Sequence, residues 1–148
     1  MDKVDKKLIA MLSENARTPL KVLAQAVCLS SPAVSARIER LEQRGIITGY
    51  SARVNPVKAG FHIKAYIALE ITPEQKPTVI PYICGCRNVL ECDCVTGPYS
   101  LLIKVSFPTA EELDRFIGDL QQFGRTQTQM VFANYLPARE VPVEEGEE

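Results

Sequence analysis

Five cysteines, at positions 28, 84, 86, 92 and 94, and one histidine, His62, carry the strongest ligand and nucleophile chemistry in this 148-residue chain. Cys84-x-Cys86 and Cys92-x-Cys94 together offer four thiolates, but structural zinc sites usually space their cysteines C-x₂₋₄-C. An i, i+2 pair on a strand more simply puts both thiols on one buried face, here beside Leu90. The expectation is therefore small buried hydrophobes and no metal. His62 falls on the polar face of an alternating stretch, as a solvated or hydrogen-bonded imidazole would. The residues assemble no Ser-His-Asp set, phosphate loop or dinucleotide fingerprint, so no catalytic residue and no cofactor are expected.

A different chemistry belongs to Ala33, Arg37, Arg40 and Arg44. At about 100° per residue these form one helical stripe that contains no acid. Beside it runs an apolar stripe of Val34, Ile38 and Leu41, and Glu39 and Glu42 lie on the other flank. Small residues near the helix start, Ser31, Ala33, Ser35 and Ala36, allow close approach to phosphates and base edges. Ser31, Ala33, Ser35, Ala36, Arg37, Arg40 and Arg44 are thus the candidate contacts to double-stranded DNA.

The elements that must position this stripe lie on either side of it. Leu20 to Gly45 holds two short helical patterns parted by Leu29-Ser30-Ser31-Pro32, a serine N-cap followed by proline at the helix start. Gly45 ends the second pattern as a C′ residue. Two helices joined by so short a break read as a helix-turn-helix, whose second helix enters the major groove. Asp2 to Asn15 supplies a third helix, with Val4, Leu8, Met11 and Leu12 on its inner face. Ile46 to Val54 is β-branched, a short strand or wing, and Asn55 to Gly60 is a connector.

Beyond the connector the hydrophobic period changes. Phe61 to Ile71 alternates as a half-buried strand, and Pro73 to about Cys84 has helical spacing despite Pro77 and Pro81. Asn88 to Thr96 and Leu101 to Phe107 are strands about the turn Gly97-Pro98-Tyr99-Ser100. Thr109 caps a helix bearing Leu113, Phe116, Ile117 and Leu120, and Thr126 to Leu136 is a last strand. The order βαββαβ is the ferredoxin-like arrangement, which makes the whole an α+β chain. The expected domains are 1–54, a winged helix-turn-helix; 55–60, a connector; 61–138, a ferredoxin-like effector and oligomerisation domain; and 139–148, an acidic tail.

Net charge, −1 overall, divides unevenly: residues 1–55 carry nine bases and five acids, and residues 56–148 carry eight bases and thirteen acids. A basic head on an acidic body fits a nucleic-acid partner for the head. No apolar run approaches the ~20 residues of a membrane span, and Met1-Asp2-Lys3 opens no signal peptide. Reduced thiols in a cytoplasm are the corresponding expectation.

In order, Asp2-x-x-Asp5-x-x-Leu8-Ile9, Asn15-Ala16-Arg17 and Leu23-Ala24 precede Leu29-Ser30-x-x-x-Val34-x-x-Arg37-Ile38-x-x-Leu41-Glu42-x-x-Gly45-Ile46-Ile47-x-Gly49-Tyr50. Cys92-Asp93-Cys94-Val95-Thr96-Gly97-x-Tyr99 and Thr126-x-Thr128 follow. With these pieces the chain resembles the Lrp/AsnC (feast/famine) transcription regulators over nearly its whole length. The resemblance implies homodimers made by pairing sheets, often assembled into octamers, and a response to amino acids. It also implies an effector site at a junction between dimers, here Gly97, Pro98, Tyr99, Ser100, Thr126 and Thr128. Gly97 leaves backbone N–H groups open to a carboxylate, and the two threonines share a strand parity. The family commonly has an acid where this chain has Ser100, which cannot pair ionically with an effector's ammonium. The alternative is an enzyme of the siroheme decarboxylase kind, built on the same two-domain layout.

Overall fold

Asp2 and Asp5 start the chain's first helix by serving each other's backbone. The Asp5 N–H donates to Asp2 Oδ1 at 2.8 Å and the Asp2 N–H to Asp5 Oδ2 at 3.2 Å, a reciprocal cap over α1 (Lys3–Glu14). α2 (Leu20–Ala26) and α3 (Ser31–Gln43) follow. The cap of α3 is Ser30, whose hydroxyl accepts from the Ala33 N–H, so Ser31 and Pro32 are already inside the first turn. Leu8, Leu23, Ala24 and Val34 close the core of these helices, with Val4, Met11, Leu12, Val27 and Ile38 packed around it. Each fully buried leucine contributes roughly 1.5–3 kcal/mol, enough to hold short helices that would not persist alone.

The computed structural model describes residues 1–143, so the glutamates of the tail beyond Glu140 lie outside the described residues. The chain divides into two compact units, Met1–Arg53 with the chain from Pro137 onward, and Val54–Leu136. The expected tail is therefore grouped with the helical unit. There Val141 and Val143 line a cleft of about 470 Å³ together with Ile9, Leu12, Ile46 and Tyr50. The expected wing strand, Ile46 to Val54, forms no ladder among the described residues. Its β-branched residues suit an extended backbone, but a strand exists only where a second one accepts its hydrogen bonds.

The second unit runs β1 (Ile63–Leu69), a 3₁₀ turn (Pro73–Gln75), α4 (Lys76–Gly85), β2 (Val89–Cys94), β3 (Leu101–Phe107), α5 (Ala110–Gln121) and β4 (Thr126–Met130). The strands form an antiparallel sheet of order β2-β3-β1-β4. Ala65, Ile67 and Leu69 of β1 and Leu101, Ile103, Val105 and Phe107 of β3 share one face. Val79 and Ile83 of α4 and Leu113, Phe116 and Leu120 of α5 cover it. Pro81 sits midway along α4 on its exposed side, where its missing N–H costs one helical bond.

β4 stops six residues short of the expected Leu136. Met130 pairs with Ala65 and the Val131 N–H reaches Lys64 O, after which β1 has almost no backbone left to offer. Phe132 and Tyr135 are accordingly 99% and 96% exposed. β2 also departs from expectation. A bulge between Val89 and Glu91 leaves Leu90 exposed, and the cysteines expected to be buried are not: on an edge strand and a helix end, Cys84 and Cys94 are exposed and Cys86 and Cys92 half-buried.

Candidate DNA interface and effector corner

The stripe on α3 divides into two parts. Val34 and Leu41 are buried and Ile38 partly so, as the apolar stripe requires. Arg37 lies closest to that stripe on the helix wheel, about 70° from its centre, and so turns inward. Its Nη1 donates to Asp2 Oδ2 at 2.6 Å and to Asp5 Oδ1 at 2.8 Å. The expected DNA contact at Arg37 would have to compete with this pair. Two carboxylates neutralise it, and it straps the cap of α1 to α3.

The protonation of these groups reports the same contact. The Asp5 N–H first, and then Arg37, hold the Asp2 carboxyl below its ordinary range, and Asp2 and Asp5 in turn push the Arg37 guanidinium up. Arg40 and Arg44 are exposed, as is Ala36, while Ser31, Ala33 and Ser35 are half-buried. Ser35 Oγ donates to Glu39 Oε1 at 3.2 Å. Beyond Gly45 (φ +66°), the Tyr50 hydroxyl donates to Glu42 Oε1 at 2.8 Å and ties the extended segment to α3. Burial, then Glu42, push this phenol up to about 12.

In the second unit three chain segments meet at one end of the sheet. Leu69 of β1 pairs with Thr126 of β4, and just beyond them the Glu70 N–H donates to Arg125 O at 2.9 Å. The Ser100 N–H donates to Leu69 O at 3.0 Å, which brings the 95–100 loop to the same place. Ser100 Oγ donates to Ile71 O at 2.8 Å and accepts from the Ile71 N–H at 3.3 Å. Its hydroxyl thus spends its proton and accepts one bond on the backbone of Ile71, and an effector at Ser100 would meet a hydroxyl already engaged there.

Gly97 takes φ +110°, the left-handed region that suits glycine, and leaves the loop's backbone exposed. Thr126 and Thr128 do share a face, paired with Leu69 and Ile67, on the side the helices cover. Thr126 Oγ1 bonds Gln121 Nε2 at 3.3 Å. Two residues missed by sequence reasoning complete the corner. The Arg125 guanidinium lies 5.3 Å from the centre of the Tyr99 ring, and its Nε pairs with Glu70 Oε2 at 3.2 Å. Both charged side chains are more than half exposed. A positive residue directly before Thr126 was the available signal for Arg125; nothing in the spacing joins 70 to 125.

Residues 1–42 match the model of the AsnC-type helix-turn-helix domain, and residues 64–141 that of the Lrp/AsnC ligand binding domain. The chain belongs to the Lrp/AsnC family. It is 34% identical over 132 residues to the HTH-type transcriptional regulator LrpA of Bacillus subtilis, covering 88% of this chain and 97% of that protein. It is 27% identical over 146 residues to the HTH-type transcriptional regulator FL11 of Pyrococcus furiosus, covering 97% of each. Among solved structures it is similar to a feast or famine regulatory protein from M. tuberculosis complexed with L-methionine. There the TM-score is 0.86 at 28% identity, over 95% of this chain and 98% of that one. This Lrp/AsnC chain is a DNA-binding transcriptional regulator. Among the described residues no helix is long and apolar enough to cross a membrane, and no group of three or more metal-ligating side chains converges.

Proposed function

We propose that this Lrp/AsnC regulator acts as a homodimer, with an octamer as its further assembly. It reads a pseudo-palindrome in double-stranded DNA and responds to a free α-amino acid held at the corner of Glu70, Tyr99 and Arg125. The observation that carries the effector reading is the Glu70–Arg125 pair, one carboxylate and one guanidinium exposed side by side at a loop of open backbone. A zwitterion inserts into such a pair by exchanging partners, its carboxylate taken by Arg125 with the Gly97 loop and its ammonium by Glu70. Glu70 supplies the acid that Ser100 lacks. The L-methionine complex of the M. tuberculosis relative supports an amino acid as the ligand class.

Calorimetry with L-amino acids, their amides and their N-acetyl derivatives tests the effector site. Arg125→Ala should weaken binding by roughly 10–150-fold, as expected for losing one charge-assisted bond of about 1.5–3 kcal/mol. Equal affinity for an amino acid and its amide would defeat the reading. The dimer is supported by the sheet face opposite α4 and α5, where Tyr66, Ala68 and Leu102 lie half-buried among Lys64, Lys104, Gln127 and Gln129. A sedimenting monomer at micromolar concentration would count against it.

A further inference from the structure

Four of the five cysteines lie on two consecutive elements of the second unit, Cys84 and Cys86 at the end of α4 and Cys92 and Cys94 on β2. In the sheet Cys92 pairs with Ile103 and Cys94 with Leu101, residues whose side chains face the helices. Both thiols therefore point towards α4, on a strand at the sheet's edge. Lys76, Ile80 and Cys84 recur at i, i+4 and i+8 and make one stripe along α4. One observation lays this stripe over β2: Lys76 Nζ approaches Cys94 Sγ at 4.0 Å. Tyr82 occupies the opposite flank, stacked on Phe116 of α5 and tilted against Phe123 just beyond it. By this spacing Cys84 is the thiol of α4 on the side that Lys76 turns to β2.

The two sulfurs differ in a way that suits consecutive roles. Cys84 is exposed and sits one residue before the end of α4. Cys92 is half-buried, and burial, followed by the Cys84 charge, pushes its thiol up. A thiol of this kind stays protonated until a sulfenic acid is presented to it.

We propose that Cys84 and Cys92 are an oxidisable dithiol, a site where hydroperoxides convert the α4–β2 edge to a disulfide-clamped form. The Cys84 thiolate attacks the distal peroxide oxygen. The O–O bond breaks, the alcohol leaves after taking a proton, and Cys84 becomes a sulfenic acid. The Cys92 sulfur then displaces that hydroxyl as water, its own proton going to the leaving oxygen, and the S–S bond forms. Two thiols give up two electrons and two protons, and the hydroperoxide is reduced to alcohol and water. The neighbouring pair Cys92 and Cys94 is a poorer choice, because same-face strand neighbours are held apart by the extended backbone.

The test uses the full chain, reduced and then treated with a stoichiometric amount of hydrogen peroxide. Titratable thiols should fall by two from the five of the reduced protein. Non-reducing peptide mapping should join the segment containing Cys84 to the one containing Cys92, and dithiothreitol should reverse the change. Cys84→Ser should abolish the link while Cys86→Ser and Cys94→Ser retain it. A cross-link that persists in Cys84→Ser, a link through Cys28 between chains, or no loss of thiols overturns the proposal. So does a reduced protein in which added zinc protects all four clustered thiols from alkylation, since that would assign the cluster to metal. Thiol counting on the parent chain decides the matter even if Cys92→Ser fails to fold.

Discussion

Replacing Arg37 and Arg40 separately should give different salt signatures, although both residues sit on α3. Each phosphate neutralised by a protein cation adds about 0.9 to the slope of log affinity against log salt. In the proposed dimer Arg40→Ala removes one cation from each of two helices, so the slope should fall by about 1.8. Between about 50 and 200 mM salt, the gap between parent and variant should narrow roughly 12-fold. Arg37 releases no counterion on binding, because Asp2 and Asp5 already neutralise it at 2.6 and 2.8 Å. Arg37→Ala should therefore weaken binding by a factor independent of salt, through looser seating of α3 against α1. The converse variant, Asp2→Asn with Asp5→Asn, frees the guanidinium and should steepen the slope. Fluorescence anisotropy across a salt series measures all three, and circular dichroism checks that each variant folds. A slope for Arg37→Ala that falls as far as for Arg40→Ala would refute the reasoning.

Cys28 holds φ +55° between α2 and α3. A left-handed backbone costs a non-glycine residue about 1–2 kcal/mol and glycine's extra entropy recovers only part of that, so Cys28→Gly should gain about 0.5–1 kcal/mol in urea melts. Two of the five tyrosines, Tyr50 and Tyr82, have phenols pushed up to about 12, by burial first and then by Glu42 and Asp119 respectively. The neutral form is the one the fold favours, so this stability is full below the ordinary phenol range near 10 and is lost as pH rises towards 12. Near-ultraviolet titration should show two late phenolates, and Tyr82→Phe should remove one; five simultaneous ionisations would contradict this. A Cβ on Gly124 would stand 1.8 Å from the Glu70 carbonyl oxygen, so Gly124→Ala should cost at least about 2 kcal/mol. Gly118→Ala, in open space on α5, should instead stabilise by about 0.8–1 kcal/mol, both variants being read in urea melts.

Sequence was most informative where a local rule and the tertiary environment agree. The Thr109 cap is one case: its hydroxyl accepts from the Glu112 N–H at 3.2 Å, and the apolar face it predicts on α5 is the buried one. The alternation through Ile63, Ala65, Ile67 and Leu69 likewise named the inner face of β1. It failed where a partner decides the outcome. Ile46 to Val54 has strand chemistry without a ladder, and Val131 to Leu136 keeps an alternating pattern after β1 has run out. Arg37 belongs to a basic stripe by spacing, yet its direction is settled by two carboxylates more than thirty residues earlier. Glu70 and Arg125 were invisible for the same reason, since the register of β1 against β4 alone makes them neighbours.

That register also bears on how an effector could reach the DNA-binding unit. The chain enters β1 at Ile63 and leaves β4 after Met130, and the flanking segments 54–62 and 131–136 of the same unit lead on to its boundaries at Val54 and Leu136. β1 and β4 are antiparallel neighbours, with Ala65 opposite Met130, so both segments emerge at one end of a single strand pair. The other end of that pair, Leu69 opposite Thr126, is the proposed effector corner. On the proposed reading, a ligand that parts Glu70 from Arg125 would alter the spacing of these strands at the corner, and their shared hydrogen bonds would pass the change along the pair. An edge such as β2–β3 has no comparable connection, because neither strand leads out of the unit. The hypothesis is that effector binding changes hydrogen exchange at the Val131 N–H, which bonds Lys64 O at the far end of the pair, while the Ser106 N–H, bonded to Asn88 O, keeps its rate. Equal changes at both amides, or none at Val131 under saturating ligand, would separate effector binding from this strand pair.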